Sequence, residues 1–115
     1  VLDALPQSLR SKFTSRAGSS FGETLRLLQQ ASLLVSVNTG IMHVGAAMGV
    51  PTVGLHGPTD PRRWGPIGKR THSILSSNKG AGSLNLGFEY TAETDYMSGI
   101  DDNEVFSVCC ELLKS

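Results

Sequence analysis

Residues 35–61, VSVNTGIMHVGAAMGVPTVGLHGPTDP, decide how this chain is read. The pattern predicts an apolar strand over Leu33–Val37 that runs into a polar turn, Asn38-Thr39-Gly40. A helix of small residues, Ile41–Met48, is expected to leave that turn and stop at Gly49. A second apolar strand follows over Thr52–His56. A strand that ends in a glycine turn and opens a helix aims free backbone N–H groups and a positive dipole end at one point, which suits an anion such as phosphate. Asn38 and Thr39 are of the types that cap helices. Gly40 lets a bulky ligand approach the backbone, and Gly45, Ala46 and Ala47 let the helix lie close to a sheet.

Upstream of this stretch, Pro6 followed by Gln7–Phe13 suggests a short helix. Ser19 and Ser20 can cap a second helix with interior Glu23–Ala31, in which Leu25, Leu28 and Ala31 form one buried face and Leu27 widens it. The nearly continuous apolar run at Leu33–Val37 reads as a parallel strand covered on both faces. Downstream, Gly57–Pro61 is a loop by composition, with Asp60-Pro61 able to start a short helical turn through Trp64. Thr71–Ser76 alternates as a further short strand. Residues 77–99 lack either period and are expected to form an irregular loop. Asp101 and Glu104 offer a capping box for a last helix, with Val105, Val108, Cys109 and Leu112 on one face. The order helix, strand, helix, strand, strand, helix predicts an α/β fold with a parallel sheet.

Composition narrows the function classes. The 115 residues carry ten basic and ten acidic side chains, so no net field recruits nucleic acid or a membrane surface. No run reaches the roughly 18 apolar residues of a membrane span. Neither a charged n-region nor a cleavable apolar stretch marks a signal peptide. Cys109 and Cys110 are neighbours in a predicted helix, pointing about 100° apart, which suits neither a disulfide nor a metal pair. Reduced, packed thiols fit a cytoplasmic location. The chain opens on Val1 rather than Met, so a piece of a longer protein is expected.

The segment VNTGIMHVGAAMGVPTVGLHGPTDPRRWGP resembles the donor-binding signature of glycosyltransferase family 9, the lipopolysaccharide heptosyltransferases and their relatives. That signature runs roughly D-[ST]-G-x-x-H-x-A-A-A-x-G-x-P-T-[VI]-x-L-[FY]-G-P-T-[DS]-P. Thr39, Gly40, His43, Ala46, Ala47, Gly49, Pro51, Thr52, Val53, Leu55, Gly57, Pro58, Thr59, Asp60 and Pro61 fall in register with it. The likeness continues more weakly over Leu5–Ala31 and Met97–Leu113 and is least supported over Lys79–Asp95.

The resemblance implies a GT-B architecture of two Rossmann-like domains facing across a cleft, with residues 1–115 forming part of the C-terminal, donor-binding half. It implies inverting, metal-independent sugar transfer, typically of heptose from an ADP-linked donor to a lipopolysaccharide core acceptor. No cofactor and no metal site is implied. Thr39-Gly40-Ile41 would offer N–H groups to the diphosphate, Asn38 and His43 would lie beside the sugar–phosphate, and the helix start near Ser19 would border the base. The general base belongs to an N-terminal domain absent from this chain, so the catalytic residue is unknown and the chain alone is expected to be inactive. The acceptor would be met through that absent domain, and the full-length enzyme could sit peripherally at the inner membrane.

This sequence departs from the pattern at Asn38, where the family has Asp; size and reach are kept and charge is lost. That leaves open a second reading, a non-catalytic nucleotide- or sugar-phosphate-binding module. A third is another GT-B-like enzyme, such as a nucleotide-sugar epimerase. The remaining candidates have simpler expected roles. Loop shaping is expected of Thr59 and Asp60, with Asp60 capping Pro61–Trp64, and Trp64 is expected to pack under the loop. Arg62, Arg63, Lys69 and Arg70 read as a solvated face. His43 has no second ligand at Ala47 to make a metal site. Glu89 and Asp95 belong to the loop, Asp101 and Asp102 to a helix start, and His56 and His72 have no evident partner.

Overall fold

The computed structural model describes residues 5–78, 81–82 and 97–114. Most of the expected 77–99 loop, with Glu89 and Asp95, lies outside the described residues. The element order is α1 (Gln7–Arg10), α2 (Phe21–Gln30), β1 (Leu34–Val37), α3 (Gly40–Ala47), β2 (Thr52–His56), α4 (Pro61–Trp64), β3 (Thr71–Leu75), a 3-10 turn (Met97–Gly99) and α5 (Asp102–Lys114). The three strands form one parallel sheet in the order β1-β2-β3, so the expected α/β class with a parallel sheet holds.

Local chemistry accounts for most element ends. Ser20 Oγ accepts from Glu23 N–H at 3.2 Å and starts α2. The α3 helix ends in a Schellman motif: Gly49 N–H donates to Ala46 C=O and Val50 N–H to Gly45 C=O, both at 3.0 Å. Gly49 takes φ of +84°, a left-handed value that costs glycine nothing sterically. Asp60 accepts from Arg62 N–H at 3.0 Å with Pro61 in the first turn, so it caps α4 as expected. Asp101 Oδ1 accepts from Asn103 N–H at 2.9 Å; the expected reciprocal bond from Glu104 is not formed.

The strand register sorts the sheet into two unlike faces. Val35 and Val37 pair with Val53 and Leu55, and Val53 and Leu55 with His72 and Ile74. On this face Val53, Ile74 and Val108 are buried together, with Leu33, Leu55, Ile100, Val105, Cys109 and Leu112 packed against them. The α5 face expected from its sequence is therefore the one that packs. Cys109 and Cys110 are free thiols, and burial, then the neighbouring Cys110, pushes the Cys109 thiol above its ordinary value. Each fully buried Val or Ile here stabilises the fold by about 1.5–3 kcal/mol.

Beyond the reach of α5, Val35 and Val37 remain 42% and 47% exposed. The expectation that β1 is covered on both faces is thus corrected. A continuous apolar run says only that both faces tolerate burial. Whether both are covered depends on where the neighbouring helices land.

The opposite face carries α3. Its close approach is set by two glycines: a Cβ on Gly45 would collide with Leu34 Cδ2, and one on Gly54 would stand 2.8 Å from Met42 Sδ. Met42 is fully buried and Ala46 nearly so. Ala47 faces outward, so Gly45 and Ala46 make the close face and Ala47 does not. In α2 only Leu28 is fully buried; Leu25 and Ala31 are half-buried and Leu27 turns to solvent, so its buried face is narrower than the spacing suggested.

Candidate functional site

The turn Asn38–Ile41 follows the C-terminal end of β1, the end of a parallel α/β sheet at which ligands bind. Thr39 is the N-cap residue of α3, with extended backbone at φ −139°, ψ 171°, but its side chain accepts no helix N–H. Thr39 Oγ1 instead lies 3.4 Å from Ser36 Oγ. The expected capping by Asn38 and Thr39 side chains is therefore corrected. Asn38 turns away and donates from Nδ2 to Thr59 Oγ1 at 3.1 Å.

As a result, Gly40 and Ile41 N–H have no acceptor among the described residues; the first recorded bond is Met42 N–H to Thr39 C=O at 3.1 Å. A Cβ on Gly40 would meet nothing within 4 Å. Two unpaired donors thus stand at the positive end of a helix, with open space where a Gly40 side chain would lie. His43, one turn into α3, is exposed.

Beneath this turn a polar cluster closes the ends of β1 and β2. His56, at the end of β2, is fully buried and its Nδ1 stands 3.2 Å from Thr59 Oγ1. Burial, helped by the charge of His43 and opposed by Asp60, holds the His56 pKa below its ordinary value. Asp60, also buried, is held below its ordinary value mainly by the hydrogen bond from the Arg62 side chain, with an ion pair at 3.0 Å. Sequence reading missed His56 because its partner is a side chain beyond a Gly-Pro loop. A buried His closing an apolar strand is the signal that could have raised it.

Other candidates lie apart from this turn. Ser19 Oγ donates to Arg16 C=O at 2.6 Å and lines a separate groove with Arg16, Glu23, Arg26, Leu27 and Gln30. None of residues 38–43 lines that groove. Arg62 pairs with Asp60, and Arg63 lies 5.8 Å from the centre of the Trp64 ring. Arg70 donates to Leu112 C=O near the end of α5. These cations are exposed yet engaged in holding loops and helix ends, while Trp64 is half-buried. Among the described residues no group of three or more His, Cys, Asp or Glu could hold a metal ion. No helix among them is long and apolar enough to cross a membrane.

Comparison with known proteins places the turn in a family. The chain is 38% identical over 65 residues to lipopolysaccharide heptosyltransferase 1 of Salmonella typhimurium, covering 56% of this chain and 20% of that protein. It is 31% identical over 75 residues to lipooligosaccharide heptosyltransferase 2 of Haemophilus influenzae, covering 64% and 22%. Against lipopolysaccharide heptosyltransferase 1 of Escherichia coli K12 it is 46% identical over 44 residues, covering 38% and 14%. The chain thus spans about a fifth or less of the length of these curated relatives. No solved structure matches it with significance. Residues 1–85, including the whole of the turn and its polar cluster, match the model of glycosyltransferase family 9 (heptosyltransferase), and the chain belongs to that family.

Proposed function

We propose that this chain is the donor-binding part of an inverting glycosyltransferase of lipopolysaccharide core synthesis, with an ADP-linked heptose as donor. The observation that carries the reading is the open N-terminus of α3: Gly40 and Ile41 N–H unpaired, with free space over Gly40. Negative charge grows on the departing diphosphate as the sugar–phosphate bond breaks, and donors already aimed at that charge stabilise it without reorganising. Asn38 and His43 flank the sugar–phosphate, and the groove at Ser19 takes the nucleotide base. The chain forms part of the C-terminal half of a GT-B enzyme. The general base and the acceptor surface belong to an N-terminal half, so the chain alone does not transfer sugar. The whole enzyme works in the cytoplasm, peripherally at the inner membrane.

Isothermal calorimetry of the full-length protein with ADP, UDP and GDP tests the site, and transfer from ADP-heptose tests the reaction. Binding of ADP that weakens in a Gly40→Pro variant supports the reading. Absence of binding to all three nucleotides by folded protein refutes it.

The second reading, a non-catalytic nucleotide- or sugar-phosphate-binding module, is favoured by one observation: Asn38 stands where the family pattern has a carboxylate. Measuring transfer by wild type and Asn38→Asp side by side separates the two. An inactive wild type that gains transfer on N38D establishes the module.

A further inference from the structure

His56 ends β2 inside the protein, and nothing in the donor reading uses it. Its Nδ1 and the Asn38 Nδ2 converge on one oxygen, Thr59 Oγ1, at 3.2 and 3.1 Å. Both His56 and Thr59 are buried, and His56 Nε2 is the buried side-chain polar atom without a hydrogen-bond partner among the described residues. Asn38 is half-buried, and its Oδ1 has no partner among the described residues. Residues from the ends of two adjacent strands and from the following loop thus make one line of hydrogen bonds under the open turn.

The chemistry of the three groups limits the proton order to two choices. A threonine hydroxyl has one hydrogen to give and lone pairs to receive. With Asn38 Nδ2 donating to it, two orders satisfy the group: its own hydrogen goes to His56 Nδ1, or its second lone pair accepts from a His56 Nδ1–H. A neutral imidazole that accepts at Nδ1 carries its proton on Nε2. A methyl group on Gly54 would stand 2.8 Å from Met42 Sδ and 3.2 Å from His56 Nε2, so both border the same spot beside Gly54, and Nε2 has no hydrogen-bond partner there.

We propose that the first of these orders holds, and that His56 is a positioning residue which, through Thr59, holds the Asn38 amide with its nitrogen inward and Oδ1 outward. The site beside α3 thereby presents an uncharged acceptor to a hydroxyl group of a phosphate-linked sugar. This rests on the donor reading above. It makes the character of residue 38 depend on a buried ring that touches no ligand. A carboxylate at 38 would instead take the Thr59 hydrogen, and His56 would have to donate from Nδ1. Burial keeps the ring neutral near pH 7 and so preserves the ordering.

Two measurements on the full-length protein test it. Long-range 1H–15N correlations report the His56 tautomer, with the Nε2–H form expected in wild type and the Nδ1–H form expected in Asn38→Asp. Steady-state kinetics of His56→Phe and Thr59→Val are expected to raise the donor KM by about 3–10-fold, the loss of one ordinary hydrogen bond, with kcat nearly unchanged. The double variant should be no worse than the worse single, and Thr59→Ser, which keeps the hydroxyl, should restore the wild-type KM. An Nδ1–H tautomer in wild type overturns the proposal, whether or not His56→Phe folds. So does an unchanged donor KM in folded Thr59→Val, or full additivity of the two variants. If the protein neither binds nor transfers a nucleotide sugar, the donor reading fails by itself. The proposed use of Oδ1 fails with it, while the tautomer still decides whether His56 orients Asn38.

Discussion

The helices α3 and α4 both leave the C-terminal ends of adjacent parallel strands, yet they begin in opposite ways. The start of α4 is closed: Asp60 accepts Arg62 N–H and holds the Arg62 side chain as well. The start of α3 is open, because Thr39 caps nothing and Asn38 is drawn away to Thr59. The nearby α2 is closed too, by Ser20. Of these three starts only α3 has no side-chain cap, and it stands beside open space at Gly40. The difference shows that tertiary contacts override capping propensity, which alone would have closed all three; it is at this open start that the donor reading proposed above is to be tested.

The largest expected effect concerns what places the open end. Gly54→Ala sets a methyl group against Met42, Pro66 and His56 Nε2, at 2.8, 3.0 and 3.2 Å. This overpacking should cost about 1–3 kcal/mol and lift α3 off β2, so that chemical denaturation shows lower stability and nucleotide affinity falls with it. A fully stable G54A with wild-type affinity would break the link between sheet contact and site.

Gly40→Pro comes next and acts on the open end alone. Proline is favoured at the first helical position, and the extended Thr39 backbone is what a residue before proline adopts. The variant should keep or raise the melting temperature while removing one donor to an anion. Nucleotide affinity should fall about 10-fold or more, the value of a charge-assisted hydrogen bond. Unchanged affinity would show that the open end is not the ligand site.

A matched pair then sharpens the contrast between helix starts. Ser20→Ala should cost about 1 kcal/mol in urea unfolding, because it removes a working cap. Thr39→Ala should change stability by less than about 0.5 kcal/mol, because its hydroxyl caps no helix N–H. Equal costs at the two positions would mean that α3 is closed after all.

The smallest effect is a dependence on pH. His56 has a folded pKa below its ordinary value of 6.5, so the unfolded chain binds the proton first. Its contribution to stability is complete above pH 6.5 and is lost as pH falls from there toward the folded value. Asp60 is likewise lowered, from 3.8, so the α4 cap persists until pH drops below 3.8 and is lost through its folded value. Denaturant midpoints of wild type and His56→Phe between pH 7 and pH 5 should diverge on this account, with wild type the more acid-sensitive.

How legible these features were follows from how far apart their causes lie along the chain. The stop of α3 at Gly49, the Ser20 and Asp60 caps and the packing face of α5 each depend on residues within about one or two helical turns, and each could be read directly. The fate of Asn38 could not. Its partner Thr59 stands 21 residues away, brought alongside only because β1 and β2 pair in register with Val37 opposite Leu55. Exposure of Val35 and Val37 had the same kind of cause, since it depends on α5 reaching β2 and β3 without covering β1.

By itself, then, the sequence determined the strand–turn–helix at Val37–His43, the α/β order around it and the membership of a glycosyltransferase family. Those are written in local periodicity, in cap and turn chemistry, and in a gap-free pattern through Pro61. Only the tertiary structure decided that the α3 cap stays open, that Thr59 joins Asn38 to His56, and that Val35 and Val37 stay exposed. A polar side chain with several possible partners commits according to distance. Distances between strands are set by the packed sheet and not by neighbours in the chain.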